Sequence, residues 1–355
     1  VVLGGGFGGA YAARTLQKRA AADDLDITLI DRHNYFVFYP LLVEAGTGSL
    51  EPRHAVVSLR SITDGASFRM ADVRSVDTDK QQVQINLVGG DRPQVLEYDH
   101  LLIAMGSVTG MPDIDGLAEY AYELKSLADA VALRDRAIAL LEQADAVDDE
   151  PLRRELLHFV VVGASYTGVE VAGEFDMFLK AAAKQYHNVS PDDIRITLVE
   201  LDSRILPTLD EELAEYAAAN LERRGVRLAL GTSLTSVGKD YVSLTTDEVI
   251  SSRTCIWAAG IAPPPPIARW NLPLDQRGYI ECERDMRVKG LENVWAIGDC
   301  AVNPDKHGHP YPATAQHASR MGKAVAKNII RAIKGESTRP FDYRTQGSLA
   351  PLGCR

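Results

Sequence analysis

Residues 1–16 read VVLGGGFGGAYAARTL, and residues 159–175 read FVVVGASYTGVEVAGEF. Each joins a short apolar run, a glycine-rich turn and a helix-forming stretch, the pattern of a strand turning tightly into a helix. The likeness continues downstream. After the first helix, Asp26-Ile27-Thr28-Leu29-Ile30 reads as a strand ending on Asp31; after the second, Ile194 to Val199 reads as a strand ending on Glu200. Two β-α-β units, each closed by an acidic residue, predict an α/β chain with two Rossmann-like dinucleotide-binding domains. Gly9 to Asp31 is 22 residues and Gly168 to Glu200 is 32, with the excess at AAAKQYHNVSPDD as longer helix and loop.

The spacing of the first turn carries specific demands. In Gly4-x-Gly6-x-x-Gly9, the first glycine makes the turn, the second lets backbone approach a pyrophosphate, and the third lets helix pack on strand. The helix N-terminus then offers amides and positive partial charge to phosphate. Asp31 accepts from an adenosine ribose. In the second turn Gly163 and Gly168 hold the outer positions, but the central one is Ser165, so the approach there tolerates a small side chain. Glu200 repels a 2′-phosphate and favours NAD(H) over NADP(H), while Arg204, four residues on, keeps NADP(H) open.

Glu170 and Glu174 are four apart and share a helix face near its positive end. Two like charges there cost a few tenths of a kcal/mol if both ionise. The flanking Val169, Val171, Ala172, Gly173 and Phe175 argue against a wholly wetted face. Asp299, in AIGDCA, follows an apolar strand and a glycine and can hold sugar or ribityl hydroxyls.

The remaining chain fits around these units. Val83 to Leu87 alternates with period two before a turn at Gly89-Gly90-Asp91, and residues 101–107 read as a buried strand and glycine turn. Residues 126–148 have helical periodicity with Ser126 as N-cap. Residues 210–225 read as a helix closed by Gly225, short strands follow to Ala258, and Pro263–Pro266 read as a stiff spacer. A long amphipathic helix follows Ala313.

Length and composition set outer bounds. A chain of 355 residues is too long for one core, and 46% apolar with 25% charged residues is ordinary for a soluble globular protein. The net charge of −11 argues against nucleic-acid binding. Cys255, Cys282, Cys300 and Cys354 form no close pair and read as reduced thiols, and His307 and His309 lack matching ligands, so no metal site is expected. No apolar run reaches a membrane-spanning length. Both ends read as cut.

Together these features resemble the two-dinucleotide, glutathione-reductase-like flavoproteins, and within them the type II NADH:quinone oxidoreductases. Carrying the resemblance are residues 31–52 (DRHNYFVFYPLLVEAGTGSLEP), GVEVAGEF, WAAGI, NVWAIGDCA, YPATAQHASR and GSLAPLG. Residues 31–52 hold no cysteine pair of the disulfide-reducing relatives.

The resemblance implies FAD on residues 1–112 plus 285–355, and NAD(H) on 113–284. Its implied FAD contacts are Gly4, Gly5, Gly6, Phe7, Gly8, Gly9, Asp31, His33, Asn34, Val73, Ala104, Gly106, Asp299, Ala315 and Gln316. Its NAD(H) contacts are Gly163, Ser165, Gly168, Glu200, Ala259 and Gly260. Glu174 and Glu170 are the implied catalytic residues, Glu174 for proton transfer to quinone and Glu170 beside the nicotinamide. Gln316 and Arg320 match the quinone site, although Arg320 stands where the family has glutamine. Met105 departs from the family's Ala-Thr-Gly.

The implied activity passes a hydride from NADH to flavin and two electrons to a membrane quinone, without proton pumping. It also implies peripheral contact at the cytoplasmic face of the membrane, through a C-terminal segment beyond Arg355, with homodimerisation left open. Two alternatives stand beside it. One is a related reductase: an NADPH-dependent naphthoquinone reductase, a ferredoxin reductase or a sulfide:quinone reductase. The other is a redox-sensing nucleotide-binding protein with no turnover.

Overall fold

The computed structural model describes residues 1–63 and 65–353. Its contacts form two compact units. One comprises Val1–Val37, Val56–Val108 and Ile261–Gln346; the other comprises Phe38–Ala55, Thr109–Gly260 and the segment from Gly347. Each unit contains one of the glycine-rich turns. Cys354 lies outside the described residues.

In the first unit the strand Val2–Leu3 lies inside a parallel sheet. Thr28–Asp31 and then Ser67–Asp77 flank it on one side, Leu101–Ile103 and then Val294–Ala296 on the other. Successive side chains enter two different cores. Val2, Leu29 and Leu102 pack with residues of the helices Phe7–Asp23 and Ala315–Ile333, whereas Leu3, Ile30 and Leu101 pack with Trp270 and Ile280. Burial on both faces is why these strands read as unbroken apolar runs. Ser67–Asp77 continues past the parallel sheet into an antiparallel meander with Gln82–Leu87 and Pro93–Glu97.

The second unit repeats this plan. His158–Val162 is central, with Arg195–Glu200 and Arg227–Leu230 on one side and Thr254–Trp257 and Ala121–Tyr122 on the other. Its meander (Leu234–Val237, Tyr241–Leu244, Val249–Ser251) is a separate sheet, because the chain turns at Gly231, φ +66°, between the two. Helix Leu127–Ala146 starts at Ser126: its hydroxyl accepts from the Asp129 amide, and the Asp129 carboxylate accepts from the Ser126 amide. The N-cap expected at Ser126 is thus present, and the Asp129 carboxylate makes it a reciprocal capping box.

One expectation is corrected. The prolines at 263–266 are not a bare spacer, since Pro265–Arg269 winds into a 3-10 turn. Proline's fixed φ suits the first positions of a helix, where its missing N–H costs nothing.

The last helix of the first unit touches the first one backbone to backbone. A methyl on Gly322 would lie 2.3 Å from the Gly8 carbonyl oxygen. Gly322→Ala is therefore expected to destabilise this unit by about 2 kcal/mol, despite alanine's better helix propensity. Urea unfolding of the two proteins measures the difference, and an unchanged or raised midpoint would refute the tight crossing.

Candidate functional site

The two glycine-rich turns are superimposable hydrogen bond by hydrogen bond. The Gly4 amide donates to the Ile30 carbonyl and the Gly163 amide to the Val199 carbonyl, both at 2.8 Å. The next amide in each turn meets the acidic residue: Gly5 donates to Asp31 Oδ2 at 2.6 Å and Ala164 to Glu200 Oε2 at 2.5 Å. Each carboxylate's other oxygen accepts from the amide two residues after it, His33 at 2.8 Å and Asp202 at 3.0 Å. The first helical bonds, Ala10 to Gly6 and Val169 to Ser165, also correspond. Gly4 and Gly163 both lie at positive φ, +100° and +95°.

These turns fit a dinucleotide. Each carboxylate oxygen has two lone pairs and spends one on backbone, so both carboxylates keep acceptors for ribose hydroxyls. A Cβ on Gly6 would meet nothing within 4 Å, which leaves space over the helix N-terminus. Ser165, its counterpart, is exposed and extended (φ −75°, ψ −168°) and makes no cap hydrogen bond. A side chain is accommodated there without backbone strain. Arg204 turns into its own loop and donates to the Pro207 carbonyl at 2.7 Å.

A third correspondence escaped the reading of the sequence. The strand after each meander ends in Ala-x-Gly, as Ala104-Met105-Gly106 and Ala258-Ala259-Gly260. Ala104 N donates to the Leu3 carbonyl and Ala258 N to the Val162 carbonyl, each at 2.8 Å, and both glycines lie at positive φ. This backbone runs directly against the phosphate turn: a Cβ on Gly4 would sit 2.3 Å from the Ala104 oxygen, and one on Gly163 2.7 Å from the Ala259 Cβ. The signal lay in comparing IAMG with WAAG after two apolar strands.

The first unit gathers every residue expected to contact FAD, together with Arg320. At the carboxyl ends of its strands, Ile297 N donates to the Ile103 carbonyl, and Ser107 Oγ donates to Asp299 Oδ2 at 3.2 Å. His33 and Asn34 line an open depression of about 560 Å³ with Arg32, Tyr35 and Asp72, and Val73 follows on the adjacent long strand. Ala315 starts the last helix. Gln316 Oε1 accepts from Tyr343 Oη at 3.1 Å and from the Gln346 amide at 2.9 Å, and the Arg320 guanidinium stacks on Tyr343, 5.6 Å from its ring centre. The two expected quinone-site residues thus share one aromatic partner. His317 between them is buried, hydrogen-bonded to the Thr314 and Thr345 hydroxyls, and burial lowers its pKa.

The second unit gathers Gly163, Ser165, Gly168, Glu200, Ala259, Gly260, Glu170 and Glu174. Both glutamates lie on helix Tyr166–Ala183. Glu174 is 3% exposed and Glu170 half-buried. Burial, with Glu44 and Glu174 nearby, pushes the Glu170 carboxyl up to about 7. Glu44 belongs to the short helix Leu42–Thr47, packed on the same helix, and sequence spacing gave no hint of it.

Cys255, Cys282 and Cys300 are buried and unpaired. Burial pushes Cys255 and Cys300 to about 12 and Cys282 well above its ordinary value. Among the described residues no three His, Cys, Asp or Glu side chains converge as a metal site.

Residues 1–322 match the pyridine nucleotide-disulphide oxidoreductase family. A type II NADH:quinone oxidoreductase of Staphylococcus aureus is 30% identical over 362 aligned positions, covering 99% of this chain and 87% of that protein. The structure of NDH2 from Plasmodium falciparum in complex with NADH superimposes with a TM-score of 0.89 at 21% identity, over 99% of this chain and 87% of that one. The sulfide:quinone oxidoreductase of Aquifex aeolicus gives 0.75 at 19% identity, over 94% and 76%.

The raised Glu170 has a thermodynamic consequence. The folded chain holds this proton more tightly than the unfolded one, whose value stays near 4.5. Folding therefore gains from neutral Glu170 below about pH 4.5 and loses that gain as pH rises to about 7. Glu170→Gln should gain stability over the parent from pH 5 to pH 8, with Glu44→Gln shifting it the same way by less. Denaturation midpoints at the two pH values decide it, and a parallel offset would remove the assignment.

Proposed function

The chain belongs to the pyridine nucleotide-disulphide oxidoreductase family and, within it, to the type II NADH:quinone oxidoreductases, and we propose that it carries two electrons from NADH through FAD to a quinone, without proton pumping. The observation that carries this reading is the duplicated turn, with Asp31 and Glu200 bonded alike and a buried glutamate on only the second helix. The first unit is the FAD domain and the second the NAD(H) domain.

Flavin, when bound, supplies the two-electron relay between nicotinamide and quinone. The chain supplies position, charge and protons. Asp31 and Glu200 orient the two adenosine riboses, and the helix N-termini following Gly6 and Ser165 hold the pyrophosphates. Ser107 fixes the Asp299 carboxylate for ribityl hydroxyls. A quinone that takes two electrons also takes two protons. Glu174, out of water on its helix, relays one, and Glu170, near 7, exchanges protons at neutral pH beside the nicotinamide. Gln316, through its amide nitrogen, and Arg320 offer donors to the quinone oxygens, while the Tyr343 hydroxyl holds the Gln316 side chain through its oxygen. Buried, protonated thiols disfavour the cysteine chemistry of a sulfide-oxidising relative.

Location follows from the acceptor. A lipid-soluble quinone is met at the bilayer, and among the described residues no helix is long and apolar enough to cross one. The proposed contact is peripheral, on the cytoplasmic face. Whether two copies associate is read from light scattering of the holoenzyme.

NADH should bleach the bound flavin within a single stopped-flow trace, and a soluble quinone should restore its absorbance; a flavin that no nicotinamide reduces sinks the reading. Glu174→Gln should slow the quinone step roughly a hundredfold and leave bleaching within about twofold. Glu200→Gln removes a charged hydrogen-bond acceptor and should lower kcat/KM for NADH by roughly ten- to a hundredfold, with a smaller fall for NADPH. An unchanged NADH to NADPH ratio would deny Glu200 that role.

A further inference from the structure

Helix Tyr166–Ala183 carries Glu170 and Glu174, and its backbone is crossed at Gly173 by the C-terminal segment. A methyl on Gly173 would lie 2.5 Å from the Leu352 carbonyl oxygen. A methyl on Gly353 would lie 2.9 Å from the Gly173 oxygen and 3.0 Å from Met177 Sδ. Leu352 and Gly353 therefore lie on the helix turn from which Glu174 projects, with no side chain between the two backbones.

One side chain pins this crossing. Arg224 follows the helix Glu211–Arg223 and donates Nη1 to the Leu352 carbonyl and Nη2 to the Gly173 carbonyl. Its Nε and Nη2 also donate to Asp176 Oδ2, at 3.1 and 3.0 Å. Asp176, with its side chain 6% exposed, pairs through Oδ1 with Lys180 Nζ at 2.6 Å, and Lys180 donates back to the Arg224 carbonyl at 2.5 Å.

A buried carboxylate is tolerated only when fully paired, and this pairing fixes the plane of the guanidinium. With the plane fixed, its remaining N–H groups reach carbonyls from two separate stretches of chain. One is the residue before Glu174; the other is in the segment at 347–353. Lysine has the charge but not the fork.

We propose that Arg224 is a positioning residue for the quinone half of the reaction. It holds residues 347–353 on the turn that presents Glu174, and so fixes the wall beside that carboxyl. This rests on assigning quinone-side proton transfer to Glu174. Arg224 lies outside the residues that hold either dinucleotide, so the NADH half of the reaction is indifferent to it.

Two variants strike the same contact by different physics. Arg224→Lys keeps a cation for Asp176 and loses the fork. Gly173→Ala leaves every charge in place, favours the helix by about 1 kcal/mol, and displaces Leu352 with a methyl. In the holoenzyme, both should raise the KM for a short-chain ubiquinone roughly tenfold, the value of one charged hydrogen bond. Flavin bleaching by NADH should stay within about twofold, and amide exchange at 347–353 should accelerate roughly tenfold.

A raised quinone KM with faster exchange in Gly173→Ala, whose helix is strengthened, excludes a purely stabilising role for the contact. Unchanged KM in both variants overturns the proposal, as do equal losses in both half-reactions with a lowered Tm. A parent enzyme that bleaches with NADH yet is never reoxidised by the quinone sinks the acceptor assignment and this proposal with it. That result is visible before either variant is made.

Discussion

A methyl on Gly9 would lie 1.8 Å from the Gly4 carbonyl oxygen, and one on Gly168 would lie 1.7 Å from that of Gly163. No side chain survives such a distance. The bare Cα lets each helix come down onto its own strand, and that approach aims the amino end of the helix along the edge of the sheet. The acidic residue of the neighbouring strand then locks the turn by taking one of its amides. Everything placed around either turn, from the Ala-x-Gly backbone to the last helix of the first unit, is built against that contact.

The same frame serves two electrostatic purposes. Following Gly6, the first helix continues with Gly8, Gly9 and a run of alanines, and its close neighbours are Ile297 and Gly322. It is a packing element. Following Ser165, the second helix continues with Glu170, Glu174 and Asp176, acids that a parallel-sheet protein would ordinarily leave in water. Asp176 is held by two cations, while Glu170 holds its proton up to about pH 7. One copy of the unit conserves shape, and the other adds proton chemistry to it.

Much of this was legible because it depends on local rules. Glycine spacing, a carboxylate at a strand end and the Ser126 cap act over short distances and leave their mark in adjacent letters. The pairing of the two strands in each β-α-β unit followed from the same pattern, because a crossover through one helix returns the chain parallel to its first strand. What stayed hidden is what the fold brings together from far along the chain. Glu44 reaches Glu170 across more than a hundred residues, Tyr343 meets Gln316 and Arg320 from beyond the last helix, and Arg224 reads as the ordinary basic end of a helix. The prolines at 263–266 misled for another reason: proline breaks helices in their middles but suits their beginnings.

The buried thiols have a meaning beyond their failure to pair. Quinones are electrophiles, and free thiolates add to their rings and stay there. With burial pushing Cys255 and Cys300 to about 12 and Cys282 well above its ordinary value, and all three out of solvent, the described residues offer such a substrate no nucleophilic sulfur. For a protein that meets quinones at every turnover, these three thiols are in this respect already proofed against alkylation by its own substrate.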